Sequence, residues 1–231
     1  ETKAGIYSFA YNIAILYQVL SSSMDTAWTP WFYEQMAAGK EKDIRQKTAW
    51  YVLLMSVIAV LLMLVCPEII LIMGGQKYTE SRYTVVPIVL GMYFAFLYAL
   101  PAAIEYYHKK TKLIAVGTVC AAIINVVLNA VFIPLFGYVA AAYTTVVCYV
   151  LYFFFHLFIA RRILGRFLFD MKSLFLCMAG VVAFSTICLL FINNFWIRWG
   201  ILAVLLAAAL IVTIWKRKDI KAGVVQLLGR K

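Results

Sequence analysis

The sequence predicts an all-α membrane protein, a polytopic bundle of transmembrane helices. Apolar residues make up 65% of the 231 residues, charged residues make up only 13%, and the apolar residues fall in long unbroken runs. A soluble domain of this size cannot hide so much apolar surface, so lipid must be the solvent for much of the chain. Intrinsic disorder is excluded by the same composition. A β-barrel is disfavoured because its strands alternate apolar and polar residues.

Seven segments are long enough to cross about 30 Å of hydrocarbon at a helical rise of about 1.5 Å per residue. The predicted spans cover residues 6–36, 48–73, 84–106, 113–133, 138–160, 173–192 and 196–215. Pro30 and Pro67 lie in the first two spans, and each is expected to kink or end its helix because proline lacks an amide hydrogen. Residues 134–137 (Pro-Leu-Phe-Gly) predict a tight turn between spans four and five.

Basic residues are unevenly divided between the two sides of this arrangement. The loops after spans one, three and five and the C-terminal tail hold 17 of the 21 Lys and Arg residues. Short cytoplasmic loops are enriched in basic residues, so the pattern places the C-terminus in the cytoplasm and residue 1 outside. The net charge of +11 is therefore attributed to membrane topology and not to nucleic-acid binding.

Span one carries a polar stripe along one helix face. The stripe consists of Tyr7, Tyr11, Gln18, Ser22, Asp25 and Thr29. At about 100° per residue these positions fall within an arc of about 60°, and such a stripe must face protein or water. Asp25 lies about three turns from the inner end of the span. Two interpretations stay open for it: a hydrogen bond to a neighbouring helix, or a place in a cavity for substrate or a coupling cation.

Spans four and five carry further polar side chains at helical spacing. Asn125 and Asn129 lie one turn apart on span four, where they can bind a neighbouring helix or sugar hydroxyls. Tyr149 and Tyr152 on span five can stack on sugar rings or pack between helices. Both interpretations stay open for each pair.

The ionisable residues and short motifs of the sequence do not indicate an enzyme. Glu105 lies next to the basic cluster 108–110 and is expected to form a local ion pair there. His156 has neither a second histidine nor a carboxylate at ligand spacing, so no metal site is predicted. The sequence contains no GxSxG, HExxH, Walker A or GxGxxG motif, so no catalytic residue is predicted and the protein is not expected to be an enzyme.

Three stretches are specific enough to carry a family resemblance. They are GIYSFAYN at 5–12 with WTPWFYE at 28–34, IEYYHKKTK at 104–112, and INVVLN at 124–129 followed by IP at 133–134, GY at 137–138 and AAAYTT at 140–145. Together they resemble the C-terminal half of bacterial polysaccharide or oligosaccharide repeat-unit flippases (Wzx-type). These proteins belong to the multidrug/oligosaccharidyl-lipid/polysaccharide exporter superfamily.

The resemblance implies two pseudo-symmetric six-helix bundles around a central cavity, often followed by two extra helices. On this expectation the chain is a fragment that lacks the first bundle. Residues 1–160 would form five spans of the second bundle, 161–172 a basic cytoplasmic connector, 173–215 the two extra helices, and 216–231 a basic cytoplasmic tail. The expected partners are the missing bundle, a lipid-linked glycan and the lipid bilayer of the bacterial cytoplasmic membrane, and nucleic acid is not expected.

The activity implied by the resemblance is the flipping of an undecaprenyl-diphosphate-linked oligosaccharide from the inner to the outer leaflet by alternating access, for surface polysaccharide biosynthesis. No cofactor is expected, and coupling to H⁺ or Na⁺ stays open. The helix-face argument selects these cavity residues: Gln18, Asp25, Asn125, Asn129, Tyr149 and Tyr152. A diphosphate calls for basic partners, yet no span holds a deep Lys or Arg. Such partners must come from the missing half or from the cytoplasmic edge, where the candidates are Arg45, Lys109, Lys110 and Lys112.

Two other functions are weighed against the flippase. A multidrug-type cation antiporter of the same superfamily would use an intramembrane acid such as Asp25 for sodium or proton exchange. An integral-membrane glycan polymerase or acyltransferase would need reactive residues in a substantial outer loop. The outer loops are short and offer only Lys77, Glu80 and Arg82, so the second alternative is disfavoured.

Overall fold

The computed structural model describes residues 3–215, and describes side chains as far as residue 208. Its helices are α1 (Lys3–Ala37), α2 (Glu41–Gly74), α3 (Arg82–Tyr107), α4 (Thr111–Phe136), α5 (Ala140–Leu164), α6 (Met171–Leu190) and α7 (Phe195–Trp215). A 3-10 helix, Gln76–Ser81, precedes α3, and the described residues contain no strand. The all-α prediction is confirmed, and each of the seven predicted segments coincides with a helix.

Five of the described helical segments are long and apolar enough to cross a membrane. They are α2, the 3-10 helix together with α3, α4, α5 and α6. We attribute the absence of α1 from this group to its polar stripe, because α1 has 35 residues and is long enough. The apolar part of α7 that the structure describes, Phe195–Ala208, is shorter. The chain is therefore a multi-pass membrane protein, and the crossing of α1 and α7 and the orientation stay predictions.

Pro30 and Pro67 were expected to kink or end their helices, and neither of them ends its helix. Helix α1 continues past Pro30 and α2 continues past Pro67. The predicted turn at 134–137 is also shorter than expected, because Pro134 lies inside α4. Of these four residues only Gly137 lies outside α4, and the turn continues through Tyr138 and Val139. Gly137 has a φ of 77° that favours glycine, and its N–H donates to the carbonyl of Ile133 at 2.8 Å.

Helix α3 is the central helix of the compact unit that ends at Leu190, while α7 belongs to a second unit. Helices α1, α2, α4, α5 and α6 all pack against α3, and most of its side chains are buried. The Oη of Tyr93 lies 2.9 Å from the Oγ of Ser56 on α2, which satisfies both hydroxyls. Helix α4 packs mainly on α5, and only Ile114 and Gly117 are buried on it. Its apolar side chains therefore face outward, where a membrane supplies hydrocarbon.

The connector between α5 and α6 is confined to residues 165–170 and is docked on α2. Arg45 of α2 donates hydrogen bonds to the carbonyls of Leu168 at 3.0 Å and Phe167 at 2.9 Å. Arg166 forms an ion pair with Glu41, at the first turn of α2. These contacts hold the connector across the end of the bundle. The proposed division of the chain at 161–172 stays a prediction.

Asp170 caps the first turn of α6. Its carboxylate accepts a hydrogen bond from the Ser173 hydroxyl at 2.6 Å and one from the Lys172 N–H at 3.2 Å. These bonds, the Ser173 hydroxyl first, hold the pKa of the Asp170 carboxyl below its usual value. A capped helix start next to the docked connector fixes where α6 begins.

We expect Gly117→Ala to destabilise the packing of α4 on α5. A Cβ at Gly117 would lie 2.7 Å from Cε1 of Phe155 and 3.0 Å from Cε2 of Tyr152. Overpacking of this kind costs about 1–3 kcal/mol. Gly180→Ala on α6 is the matched control, because nothing lies within 4 Å of its Cβ. Thermal unfolding of the two purified variants in detergent tests the difference, and equal melting temperatures would contradict the close approach.

Candidate functional site

Two neighbouring cavities lie along α1 and α3. The first has a volume of about 380 Å³ and is walled by α1, α3 and α5. The second has a volume of about 470 Å³ and is walled by α1, α3, α4 and α5. Both volumes fall within the range of small-molecule binding sites, about 300–1,000 Å³. Asp25, Tyr98 and Ala99 line both cavities, so the two adjoin at these residues.

The polar stripe of α1 forms one wall of the first cavity. Tyr7, Tyr11, Gln18, Ser22 and Asp25 all line it, and Thr29 lines the second. The turn of α1 that carries Asp25 therefore borders both cavities. This orientation avoids placing a carboxylate against hydrocarbon.

Asp25 stands at the junction of the cavities with one local hydrogen bond. Its Oδ1 accepts from the Thr29 hydroxyl, one turn further along α1, at 3.2 Å. No Lys or Arg lines either cavity among the residues that the structure describes. Among the described lining residues, the carboxylate is therefore the one charged group, and the others offer hydroxyl, amide, aromatic and aliphatic groups.

Three tyrosines from α3 and α5 form the opposite wall. The rings of Tyr98 and Tyr149 are nearly parallel, with an interplanar angle of 6° and centroids 6.1 Å apart. Tyr152 lies closer to Tyr98, with centroids 4.4 Å apart, and its Oη is 2.7 Å from the Thr118 Oγ1 on α4. Small residues of α3, including Ala99 and Ala102, also line the cavities.

Four of the six predicted cavity residues are brought together here. Gln18, Asp25 and Tyr149 line the first cavity, and Asp25 and Tyr152 line the second. Their part in substrate binding stays a prediction.

The two asparagines form a hydrogen-bonded network between α4 and α5. The Asn129 amide donates to the Asn125 carbonyl oxygen at 2.9 Å, and the Thr144 hydroxyl of α5 donates to Asn129 at 2.5 Å. Asn125 also contacts the Cys148 sulfur at 3.6 Å. Neither asparagine lines either cavity. The geometry thus favours helix packing over sugar binding, one of the two interpretations left open by the sequence.

The four basic residues predicted at the cytoplasmic edge occupy two different places. Arg45 is engaged with the connector carbonyls described above. Lys109 and Lys110 are exposed in the turn between α3 and α4, where Lys109 adopts a positive φ of 58°, and Lys112 is exposed in the first turn of α4. The Lys109 N–H donates to the carbonyl of Tyr106, which lines the second cavity. This lysine turn therefore adjoins one end of the second cavity.

The prediction for Glu105 is wrong, and sequence reasoning missed its partner. The Glu105 Oε1 lies 2.6 Å from the Nδ1 of His156 on α5, and both side chains are fully buried. The pair was missed because 51 residues separate its members. One signal was available: Tyr98 and Glu105 share a face of α3, while Tyr149, Tyr152 and His156 share a face of α5.

Comparison with known proteins gives one result. The family model described as MatE matches residues 2–131, more than half of the chain. Comparison with curated proteins and with solved structures finds no significant match.

We expect Arg45→Ala to loosen the connector. Two charge-assisted hydrogen bonds are lost, and at an exposed site this loss costs about 1 kcal/mol. The fraction of molecules in which the connector is undocked from α2 therefore rises several-fold. Tryptic cleavage after Arg166 in inverted membrane vesicles should accelerate by that factor. Lys42→Ala, an exposed change on the same helix, is the control. Unchanged cleavage together with reduced export would show that Arg45 acts on substrate and not on the connector.

Proposed function

Because this chain belongs to the MatE family of membrane transporters, we propose that it forms one half of an exporter that flips a lipid-linked oligosaccharide across a membrane. The other half would face α1, α3 and α5 across the two cavities, and export would proceed by alternating access. The compartment that best suits this activity is the bacterial cytoplasmic membrane, with the C-terminus in the cytoplasm.

The observation that carries the proposal is the composition of the cavity wall. Tyrosine rings offer flat faces on which sugar rings stack, and Gln18, Ser21 and Ser22 offer hydrogen-bonding groups for sugar hydroxyls. With a single carboxylate and no basic residue in either described wall, the cavities suit an uncharged glycan better than an anion. The glycan is therefore the part of the substrate that we assign to them.

The diphosphate requires a different place. Lys109 and Lys110 lie in the turn next to Tyr106, at one end of the second cavity, and Lys112 follows in the first turn of α4. Lysine is a common phosphate ligand. An exposed lysine can bind a phosphate without the free-energy cost of burying its charge. We propose that the diphosphate binds at this turn while the glycan extends toward Asp25.

A second function is favoured by Asp25 itself. A carboxylate at a cavity junction, with a hydroxyl as its hydrogen-bond partner, also suits an organic cation. A multidrug-type cation exporter would use it as the counter-charge of its substrate. The two functions differ in which compound accumulates when the transporter is absent.

A strain that lacks the intact transporter distinguishes the two functions. For the flippase we expect lipid-linked glycan to accumulate at the inner leaflet and the intact gene to restore surface glycan.

Asp25→Asn should lower export several-fold, because a charge-assisted hydrogen bond becomes a weaker bond to a neutral amide. Glu34→Gln is the control, because Glu34 is an exposed carboxylate of the same helix outside both cavities. Normal glycan together with drug sensitivity would reject the flippase in favour of the cation exporter.

The proposed orientation places the two ends of α2 on opposite sides of the membrane. Single cysteines introduced at the exposed positions Lys42 and Gln76, in an otherwise cysteine-free protein, should react differently with an impermeant thiol reagent. We expect only Gln76→Cys to be labelled in intact cells and Lys42→Cys to be labelled after permeabilisation. Labelling of both in intact cells, or of Lys42→Cys alone, would contradict the orientation.

A further inference from the structure

A further cavity, with a volume of about 330 Å³, lies at the end of α5. It is lined by Phe158, Arg161, Arg162 and Gly165, and none of these residues lines the two cavities of the candidate site. Gly165 ends the helix with a positive φ of 71°, and nothing lies within 4 Å of the position that its Cβ would take. Both arginines and Phe158 are exposed. The last turn of α5 is therefore open to its surroundings.

Each of the two arginines lies over an aromatic ring. The guanidinium carbon of Arg161 is 4.7 Å from the centre of the Phe167 ring, and that of Arg162 is 5.0 Å from the centre of the Phe158 ring. Phe167 is itself held in place, because Arg45 binds its carbonyl. A guanidinium over a ring face is positioned by the ring and keeps its N–H donors available to an anion.

No carboxylate of the described residues forms an ion pair with Arg161 or Arg162. The sequence has no acidic residue between Glu105 and Asp170, and Asp170 caps α6. The neighbouring Arg166 differs, because it is paired with Glu41. Two adjacent positive charges repel each other, and an anion that binds between them relieves this repulsion.

The face of α5 that leads to Arg162 is apolar. It carries three exposed side chains, Leu151, Phe154 and Phe158. At about 100° per residue, these three positions and Arg162 share an arc of about 80°. Tyr152, which lines the second cavity, lies on the opposite side of the helix. The apolar stripe 151–158 therefore faces away from the candidate site, where a membrane supplies hydrocarbon.

The length of α5 places the arginines at the membrane surface. The helix has 25 residues and is apolar enough to cross a membrane. At about 1.5 Å per residue it spans about 38 Å, which exceeds the hydrocarbon thickness of about 30 Å. Arg161 and Arg162, in its last turn, lie at the level of lipid headgroups, and the apolar stripe lies at the level of acyl chains. Phe175 of α6 is exposed and stacks on Phe154 with ring centroids 6.2 Å apart, which widens the apolar surface.

We propose that the end of α5 binds one anionic phospholipid of the surrounding bilayer. Its phosphate lies between Arg161 and Arg162, and an acyl chain follows the apolar stripe 151–158. A zwitterionic phospholipid carries a positive group that the arginines repel, so the site selects an anionic headgroup. The site lies on the far side of α5 from the candidate cavities and does not depend on which substrate is exported.

Native mass spectrometry of the intact transporter in detergent tests the site by counting bound lipids. Dioleoylphosphatidylglycerol and dioleoylphosphatidylcholine are titrated separately, and inorganic phosphate is added in a third arm. We expect one phosphatidylglycerol to bind more tightly than phosphatidylcholine. Inorganic phosphate at the same concentration should not displace it, because phosphate gains nothing from the apolar stripe.

Paired charge-removing variants localise the site. The affinity for phosphatidylglycerol should fall about 25-fold in Arg161→Gln/Arg162→Gln, because each basic residue near a membrane surface contributes about fivefold. Lys40→Gln/Lys42→Gln is the matched control, since it removes two exposed positive charges at the start of α2. Its affinity should stay within about twofold of that of the wild-type protein.

Four results would overturn the proposal. They are equal affinity for the two lipids, displacement by inorganic phosphate, wild-type affinity in the double arginine variant, and an equal loss in the lysine control, which would indicate a diffuse effect of surface charge. If the double variant fails to accumulate in the membrane, Arg162→Gln replaces it with an expected loss of about fivefold, because the contact of Arg161 with Phe167 stays in place. Wild-type lipid affinity together with lost glycan export would assign the arginines to the exported substrate and refute the phospholipid site.

Discussion

The absence of water from the hydrocarbon region is the constraint on which the arrangement of these helices depends. A helix that carries Asp25, Gln18 and several hydroxyl groups along one face cannot present that face to lipid. This face of α1 borders the first cavity, which α3 and α5 also line, and Tyr11, Gln18 and Ser22 stay exposed there. The position of the candidate site is thus a consequence of polarity within a bilayer.

Helix α3 determines how the helices around the cavities are spaced. It packs against five other helices, so its residues set the distances between α1 and α5. Ala95, Ala99 and Ala102 are too small to fill the space beside α1, whereas Tyr98 on the same helix is large enough to reach the rings of α5. Alternation of small and large side chains on one helix produces two adjoining cavities instead of a filled core.

Charge is distributed along the bundle in a way that follows the cost of desolvation. Basic residues lie at helix ends and in turns, where Arg45 and Arg166 hold the connector and three lysines stay exposed. Two carboxylates inside the described bundle have polar partners, since Asp25 is bonded to Thr29 and Glu105 is paired with His156. A substrate with a polar uncharged part and an anionic end would meet matching surroundings in both regions.

The sequence by itself determined the all-α membrane class, the seven helices and the polar face of α1 that borders the first cavity. These features depend on composition and on a periodicity of 3.6 residues, which are local properties of the chain. Only the tertiary structure decided that Asn125 and Asn129 bond across to α5, that Arg45 serves the connector, and that Glu105 pairs with His156. Each of these contacts joins residues of different segments, and helical periodicity specifies which face a residue occupies but not which helix lies opposite that face.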